Sequence, residues 1–207
     1  MLWRDIHKVR RRLSRTTTSA PVSLDVIKEK IGIETDITDY DDSLTLSRAA
    51  AIEAIERITG LSLYPETWRL SFACLPTSPH YSVAGTSYHL IRLDARNVSA
   101  VSAVNYINDG EGSRAYTALD SSKYFLADED ERGLVYIDDS DITVEEDPYP
   151  WNVEFTVDAT TNDYLNQAIC LACGYWFRHP EGLEGRSLDS QSSLMFDRLI
   201  DLAVRGL

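Results

Sequence analysis

Cysteine is scarce in this sequence: three residues, an odd number, in a chain of 207. That count is too small for a disulfide framework and fits a reducing compartment. Long apolar runs are missing as well. No stretch approaches the roughly 20 apolar residues that span a bilayer, and the opening "MLWRDIHKVRRRLSRTTTSA" lacks the uninterrupted apolar core of a secretory signal. The expectation is therefore a soluble protein made in the cytosol, with no membrane partner. Familiar catalytic signatures are also wanting. There is no Gly-x-Ser-x-Gly, no phosphate-binding Gly-Lys-Ser/Thr loop and no His-Glu-x-x-His. The four histidines, His7, His80, His89 and His179, are scattered, and surface or core roles suit them better than catalysis.

What is present is a globular composition, 43% hydrophobic and 26% charged, long enough to bury roughly 70% of its unfolded surface in one core. The net charge of −13 is uneven. Residues 1–15 hold Arg4, Lys8, Arg10, Arg11, Arg12 and Arg15 against the single acid Asp5, a net +5, so the remainder carries −18. Such a body repels nucleic acid, whereas a short basic arm attracts phosphate or an acidic protein surface. In the arm, Leu2, Ile6, Val9 and Leu13 recur at near-helical spacing beside the arginines. Two readings stay open: a disordered, solvated tail, or an arm that orders on binding a partner or a neighbouring copy.

Past the arm, "APVSLDVIKEKIG" predicts a short helix near 23–31. Ser23 serves as N-cap, Asp25 sits in the first turn, Val22 and Ile27 form a hydrophobic staple, and Gly32 closes the end. A second helix over 41–59 stops at Gly60, with Leu44, Ala51, Ile55 and Ile58 as its apolar stripe. Arg48 falls inside that stripe. Either its stem lies along the core edge with its head in water, or it reaches a neighbouring subunit; the first is the commoner behaviour of long basic stems. From Tyr64 to about Asp158 the period becomes two, in "TWRLSF", "NVSAVSAVNYIN", "GLVYID" and "NVEFTV". No helical pattern separates these runs, so they predict an inserted antiparallel β-meander, with 75–88 as loop. Helices return near 161–178, ended by His179-Pro180, and near 193–204. The expected fold class is α+β: a helical bundle (21–60 and 161–207) forming one domain with a β insertion at 64–158, preceded by the basic arm 1–20.

In "ICLACGYWFRHP", Cys170 and Cys173 raise the question of a redox or metal site. They lie in mid-helix, away from the N-terminus that lowers a thiol pKa, and residues three apart on a helix are too distant for a relaxed disulfide. Two ligands at this spacing are also weak support for zinc. Packing explains them better, because Leu165, Ala168, Ile169, Ala172, Cys173 and Trp176 make one broad apolar face, with Cys170, Leu171, Tyr175 and Phe177 on its flanks. A helix apolar nearly all round is central to its fold or shared between subunits. The acid runs at 128–131, 138–141 and 145–147 match no calcium-loop spacing and read as a solvated face. No cofactor or metal is expected.

Taken in order, "PVSLDVIKEKIGI" (21–33), "DDSLTLSRAAAIEAIERITGLSLYPETWRLSF" (41–72), the β region and "NDYLNQAICLACGYWFRH" (162–179) carry a resemblance. The sequence resembles the head-tail connector, or adaptor, family of tailed bacteriophages and related gene transfer agents. The matching features are the Pro-Val-Ser-Leu opening, the Asp-Asp start of the second helix, Glu56 through Thr59-Gly60, Thr67-Trp68-Arg69 and Gln167-Ala168-Ile169. Two parts depart from that pattern. The arm is longer than the family's leader, and "FDRLIDLAVRGL" lacks its common proline-and-tyrosine ending.

The resemblance implies a non-enzymatic structural protein of the particle neck, assembled in the host cytoplasm. It implies a homo-oligomeric ring of about twelve copies beneath a portal protein. The ring would pass DNA, without sequence-specific binding, to a tail-completion or stopper protein. Candidate contacts to neighbours are Leu2, Ile6, Arg10, Arg11, Arg12, Arg48, Tyr175, Phe177, Leu202 and Arg205; candidates for an acidic lumen or surface are Asp128, Glu129, Asp130, Glu131, Asp138 and Asp139. The rival readings are a small DNA-binding or packaging-associated protein acting through the arm, and a metal-dependent enzyme using the acid clusters.

Overall fold

The structure is a computed structural model, and it describes residues 7–16, 20–76, 81–83, 86–108, 115–127, 133–179 and 190–205. The fold is α+β. The chain separates into two compact units, one made of Met1–Thr16 with Pro65–Ala159, the other of Thr17–Tyr64 with Thr160–Leu207.

The second unit is helical. Helix α1 spans Leu24–Ile31, α2 Asp41–Thr59, α3 Asp163–Arg178 and α4 Ser190–Arg205. Their limits follow from capping chemistry. The Ser23 hydroxyl accepts from Val26 N, and the Asn162 side chain accepts from Leu165 N, each satisfying a donor that a helix start leaves orphaned. Gly32 and Gly60 end α1 and α2 in the left-handed region, at φ 80° and 68°, where a Cβ is costly. The core joins Ile27 of α1, Leu44, Ala51, Ile52 and Ile55 of α2, the predicted inner face of α3, and Phe196, Ile200 and Ala203 of α4. Ile58 departs from the expected stripe. It is 56% exposed, and Ile52 takes the buried place instead.

One feature of this unit has no apolar-periodicity signal. Lys28 is 2% exposed, its ammonium lying 2.6 Å from Asp41 Oδ1 and donating to the Ile37 and Thr35 carbonyls at 2.8 and 3.2 Å. A buried ammonium needs all its protons placed. Those three partners fasten the connector between α1 and α2 to the first helix.

Among the described residues the first unit holds nine strands, antiparallel throughout: β1 (Lys8–Arg15), β2 (Glu66–Phe72), β3 (Tyr81–Val83), β4 (Thr86–Arg92), β5 (Val98–Ile107), β6 (Tyr116–Ala118), β7 (Tyr124–Ala127), β8 (Leu134–Ile137) and β9 (Trp151–Val157). They form a five-stranded sheet in the order β1-β2-β9-β5-β6 and a four-stranded sheet in the order β3-β4-β8-β7. β1–β2, β3–β4, β5–β6 and β7–β8 pair consecutive strands, the first across the intervening helices; β9 comes between β2 and β5 from far along the chain. Alternate residues of both sheets meet in one core, with Leu70, Phe72, Val153 and Phe155 from the larger and Ile91, Val135 and Ile137 from the smaller. Phe72 and Trp151, partners in register, stack with centroids 6.3 Å apart.

The basic arm corrects the sequence reading. Lys8–Arg15 is neither a solvated tail nor a helix: it is the edge strand β1, paired with β2 from Lys8↔Phe72 to Arg15↔Glu66 through a bulge between Arg12 and Ser14. Period-two contacts to β2 outweigh the near-helical spacing, because Arg10 and Arg12 face Trp68 and cover it. The region expected to be loop at 75–88 likewise contains β3 and the start of β4.

Candidate interaction surfaces

Three places in the two units bring functional side-chain types together. The first is the inner face of β1. The Arg10 guanidinium sits 4.0 Å above the Trp68 ring and donates to the Asp94 carbonyl at 2.9 Å, and Lys8 pairs with the Asp94 carboxylate at 3.0 Å. Burial holds the Arg10 pKa below its ordinary value, opposed by the charges of Glu66 and Asp94. Arg12 binds Glu66 at 2.9 Å, Arg15 approaches the same carboxylate at 3.7 Å, and Trp68 Nε1 donates to its other oxygen at 3.0 Å. Glu66 is only 4% exposed, so these donors supply what water would otherwise provide. Most of the arm's charge is thus committed within the unit, while Arg11 is exposed on the other face.

The second is an acidic groove of about 720 Å³ lined by Asp139, Glu145, Glu146 and Asp147 beside His89. His89 Nε2 is 3.1 Å from Asp139, a pairing that the 50-residue separation conceals. Register reveals it: His89↔Ile137 on β4 and β8 places Asp139 two residues past the strand partner. Asp138, expected on an acidic surface, is instead 8% exposed, and its Oδ1 accepts from Ser140 N at 2.9 Å. It closes a turn, as short acidic side chains do. Asp128, Glu129, Asp130 and Glu131 lie outside the described residues.

The third is a groove of about 690 Å³ in the helical unit, bordered by α1, α3 and α4. Ile31, Cys170, Leu171 and Leu199 contribute apolar wall, Lys30 and Arg178 stand on its border, and Asp163 stands at the start of α3. Of the flanks of α3 that the sequence shows as apolar, Cys170, Leu171 and Tyr175 line this groove. Of the interface candidates here, Tyr175 lines it and packs at a tilt against His179 with centroids 4.8 Å apart. Phe177 meets Tyr40 edge-on at 5.5 Å, and Leu202 is exposed on α4. Arg205 ends α4. Arg48 donates to the Val22 carbonyl at 3.2 Å within the same unit, so its head is not simply hydrated. Leu2 and Ile6 lie outside the described residues.

Cys173 is unsuited to redox or metal chemistry. Burial pushes the Cys173 thiol up to about 12, and raises that of Cys170 despite nearby Lys30. Held protonated and buried, Cys173 is a poor nucleophile and a poor ligand, whereas Cys170 is only half-buried, on the groove wall. Among the described residues no three His, Cys, Asp or Glu side chains gather where a metal ion could be held, and no helix is long and apolar enough to cross a membrane.

No protein-family model and no curated protein matches the sequence. The fold does have solved counterparts. It is similar to a chain in the neck of an empty gene transfer agent (GTA) particle computed with C6 symmetry, at TM-score 0.57 and 17% identity, over 82% of this chain and 84% of that one. It is also similar to a chain in the virion of a native GTA particle, at TM-score 0.56 and 16% identity, over 92% and 94% of the two chains. At such identities it is the α+β fold, with both units included, that is shared.

Proposed function

We propose that this protein is a structural component of a particle neck: a head-tail adaptor that assembles as a ring beneath a portal protein and joins the DNA-filled head to the tail. The observation that carries this reading is the fold shared with a chain of a GTA neck over more than four fifths of both chains. On this reading about twelve copies close the ring, its far side receives a tail-completion or stopper protein, and DNA passes through without sequence-specific binding. The net charge of −13 suits a conduit whose walls repel phosphate, so that DNA slides instead of adhering. The protein works by packing and not by turnover, consistent with a buried Cys173 thiol held protonated and an arm whose cations are spent on Glu66 and Asp94.

The alternative of a DNA-binding protein acting through its arm is less well supported by this geometry. Lys8, Arg10 and Arg12 are occupied, so phosphate would have to compete with Asp94 and Glu66. Electrophoretic mobility at two salt concentrations separates the two. The adaptor reading expects weak binding with little salt dependence, whereas tight binding that collapses between low and moderate salt would favour the alternative. Electron microscopy of the purified chain added to portal-bearing heads tests the adaptor reading itself, which expects added ring density at one vertex.

A further inference from the structure

The groove of the helical unit and the solvent face of α2 are built to a common spacing. Along α3 the groove is lined by Asp163, Gln167, Leu171, Gly174 and Arg178. Along α2 one exposed stripe holds Asp42, Leu46, Ala49, Glu53 and Arg57, with Ser43, Thr45 and Ile58 exposed beside it. Each stripe begins with an aspartate and ends with an arginine fifteen positions later, about 22 Å at a rise of 1.5 Å per residue. Neither helix meets the other through these residues within the chain, since α2 packs inward through Leu44, Ala51 and Ile55. Leu46 is 61% exposed, an apolar side chain on a face bordered by charge.

We propose that the α2 face of one copy seats antiparallel in the α1-α3-α4 groove of a second copy, Asp42 meeting Arg178 and Arg57 meeting Asp163. In that alignment Leu46 falls opposite Gly174, Ala49 opposite Leu171 and Glu53 opposite Gln167. Both ion pairs form at once because the spans are equal, and the opposed helix dipoles agree with the antiparallel sense. Lys30 adds a second cation to the groove's lining, close enough to Cys170 to act on its thiol. A parallel insertion would set Asp42 against Asp163 and Arg57 against Arg178, so charge alone selects the direction. The two patches are different surfaces of the molecule, so the contact is head-to-tail. Each copy gives one helix face and accepts another, which is the geometry that closes a ring or extends a filament. The contact deepens the adaptor reading and rests on it for its biological setting.

The test uses the native thiol in the groove. Ala49→Cys places a thiol on the exposed face of α2, opposite Leu171 and hence beside Cys170 of the next copy. The full chain carrying Ala49→Cys is treated with a short bis-maleimide, alone at high concentration and with portal-bearing heads. The expected result is a ladder of covalent multimers that Cys170→Ser abolishes. Arg57→Glu should suppress the ladder at least tenfold, and Arg57→Glu with Asp163→Lys should restore it, a rescue that a general loss of folding would not give. A single cross-linked dimer, or a ladder indifferent to both Cys170→Ser and Arg57→Glu, overturns the proposal. Ring density on heads without any α2-to-groove cross-link overturns this contact and leaves the adaptor reading standing. The ladder without ring density on heads does the reverse.

Discussion

The helical and β units are held by different kinds of information. In the helical unit the decisive groups lie within a few residues of what they control: Ser23 on Val26, Asn162 on Leu165, Gly32 and Gly60 at the ends they close. In the β unit the decisive contacts cross long separations, as when Arg69 meets Glu154 at 2.6 Å and β1 docks on β2. Helices are specified by local chemistry and then packed. A sheet is specified only once distant strands find their register. Damage should therefore spread differently in the two, and substitutions in each sharpen that contrast.

The largest effect is expected in the β unit at Gly133. Its φ is +63°, and a Cβ there would stand 2.6 Å from Val98 Cγ2, in a tight site where Gly133 O accepts from Leu93 N. Gly133→Ala should cost roughly 3 kcal/mol or more, combining left-handed strain with a clash against a branched side chain. Urea denaturation measures it. A cost below about 1 kcal/mol would mean that the strand ends adjust freely.

Next is Lys28 in the helical unit. Lys28→Ala removes the ammonium that ties Asp41, Thr35 and Ile37 together and should cost about 3 kcal/mol. Hydrogen exchange should show the loss confined to the α1–α2 connector and neighbouring helical turns.

Smaller again is Glu66→Gln, expected to cost about 1–2 kcal/mol, since the amide keeps one acceptor for Arg12 or Trp68 but loses the charge. Its signature is long-range: faster exchange in β1, some 50 residues earlier in the chain. If the amides of β1 stay protected, the strand is held by its backbone ladder and not by Glu66. The least effect is chemical. With its pKa at about 12, Cys173 should resist iodoacetamide at pH 8 in the folded protein and react once the chain is unfolded in urea.

The same contrast explains what could be read before the fold was known. The helices, the Ser23, Gly32 and Gly60 ends and the buried face of α3 follow from spacing and end chemistry, and Cys173 in particular falls where an apolar stripe predicts it. Buried Lys28 was not legible, because no pattern distinguishes a lysine aimed at two carbonyls from one in water. Strand β1 escapes the sequence reading because Leu2, Ile6, Val9 and Leu13 also fit a near-helical spacing, and Trp68 and Glu66, far downstream, decide otherwise. His89 with Asp139 became visible only through the pairing of β4 with β8. Of the proposed interface, Tyr175 and the apolar flank of α3 were legible, whereas the match of α2 to the groove needed the knowledge of which faces stay exposed.

The central claim is that this chain acts as a repeated structural piece of a particle neck. Single-particle imaging of portal-bearing heads, with and without the purified protein, addresses it most directly. The account predicts a closed ring of identical subunits added at the portal vertex, each fitted by the α+β fold. Heads unchanged at that vertex, with the protein still dispersed as single chains, would contradict it.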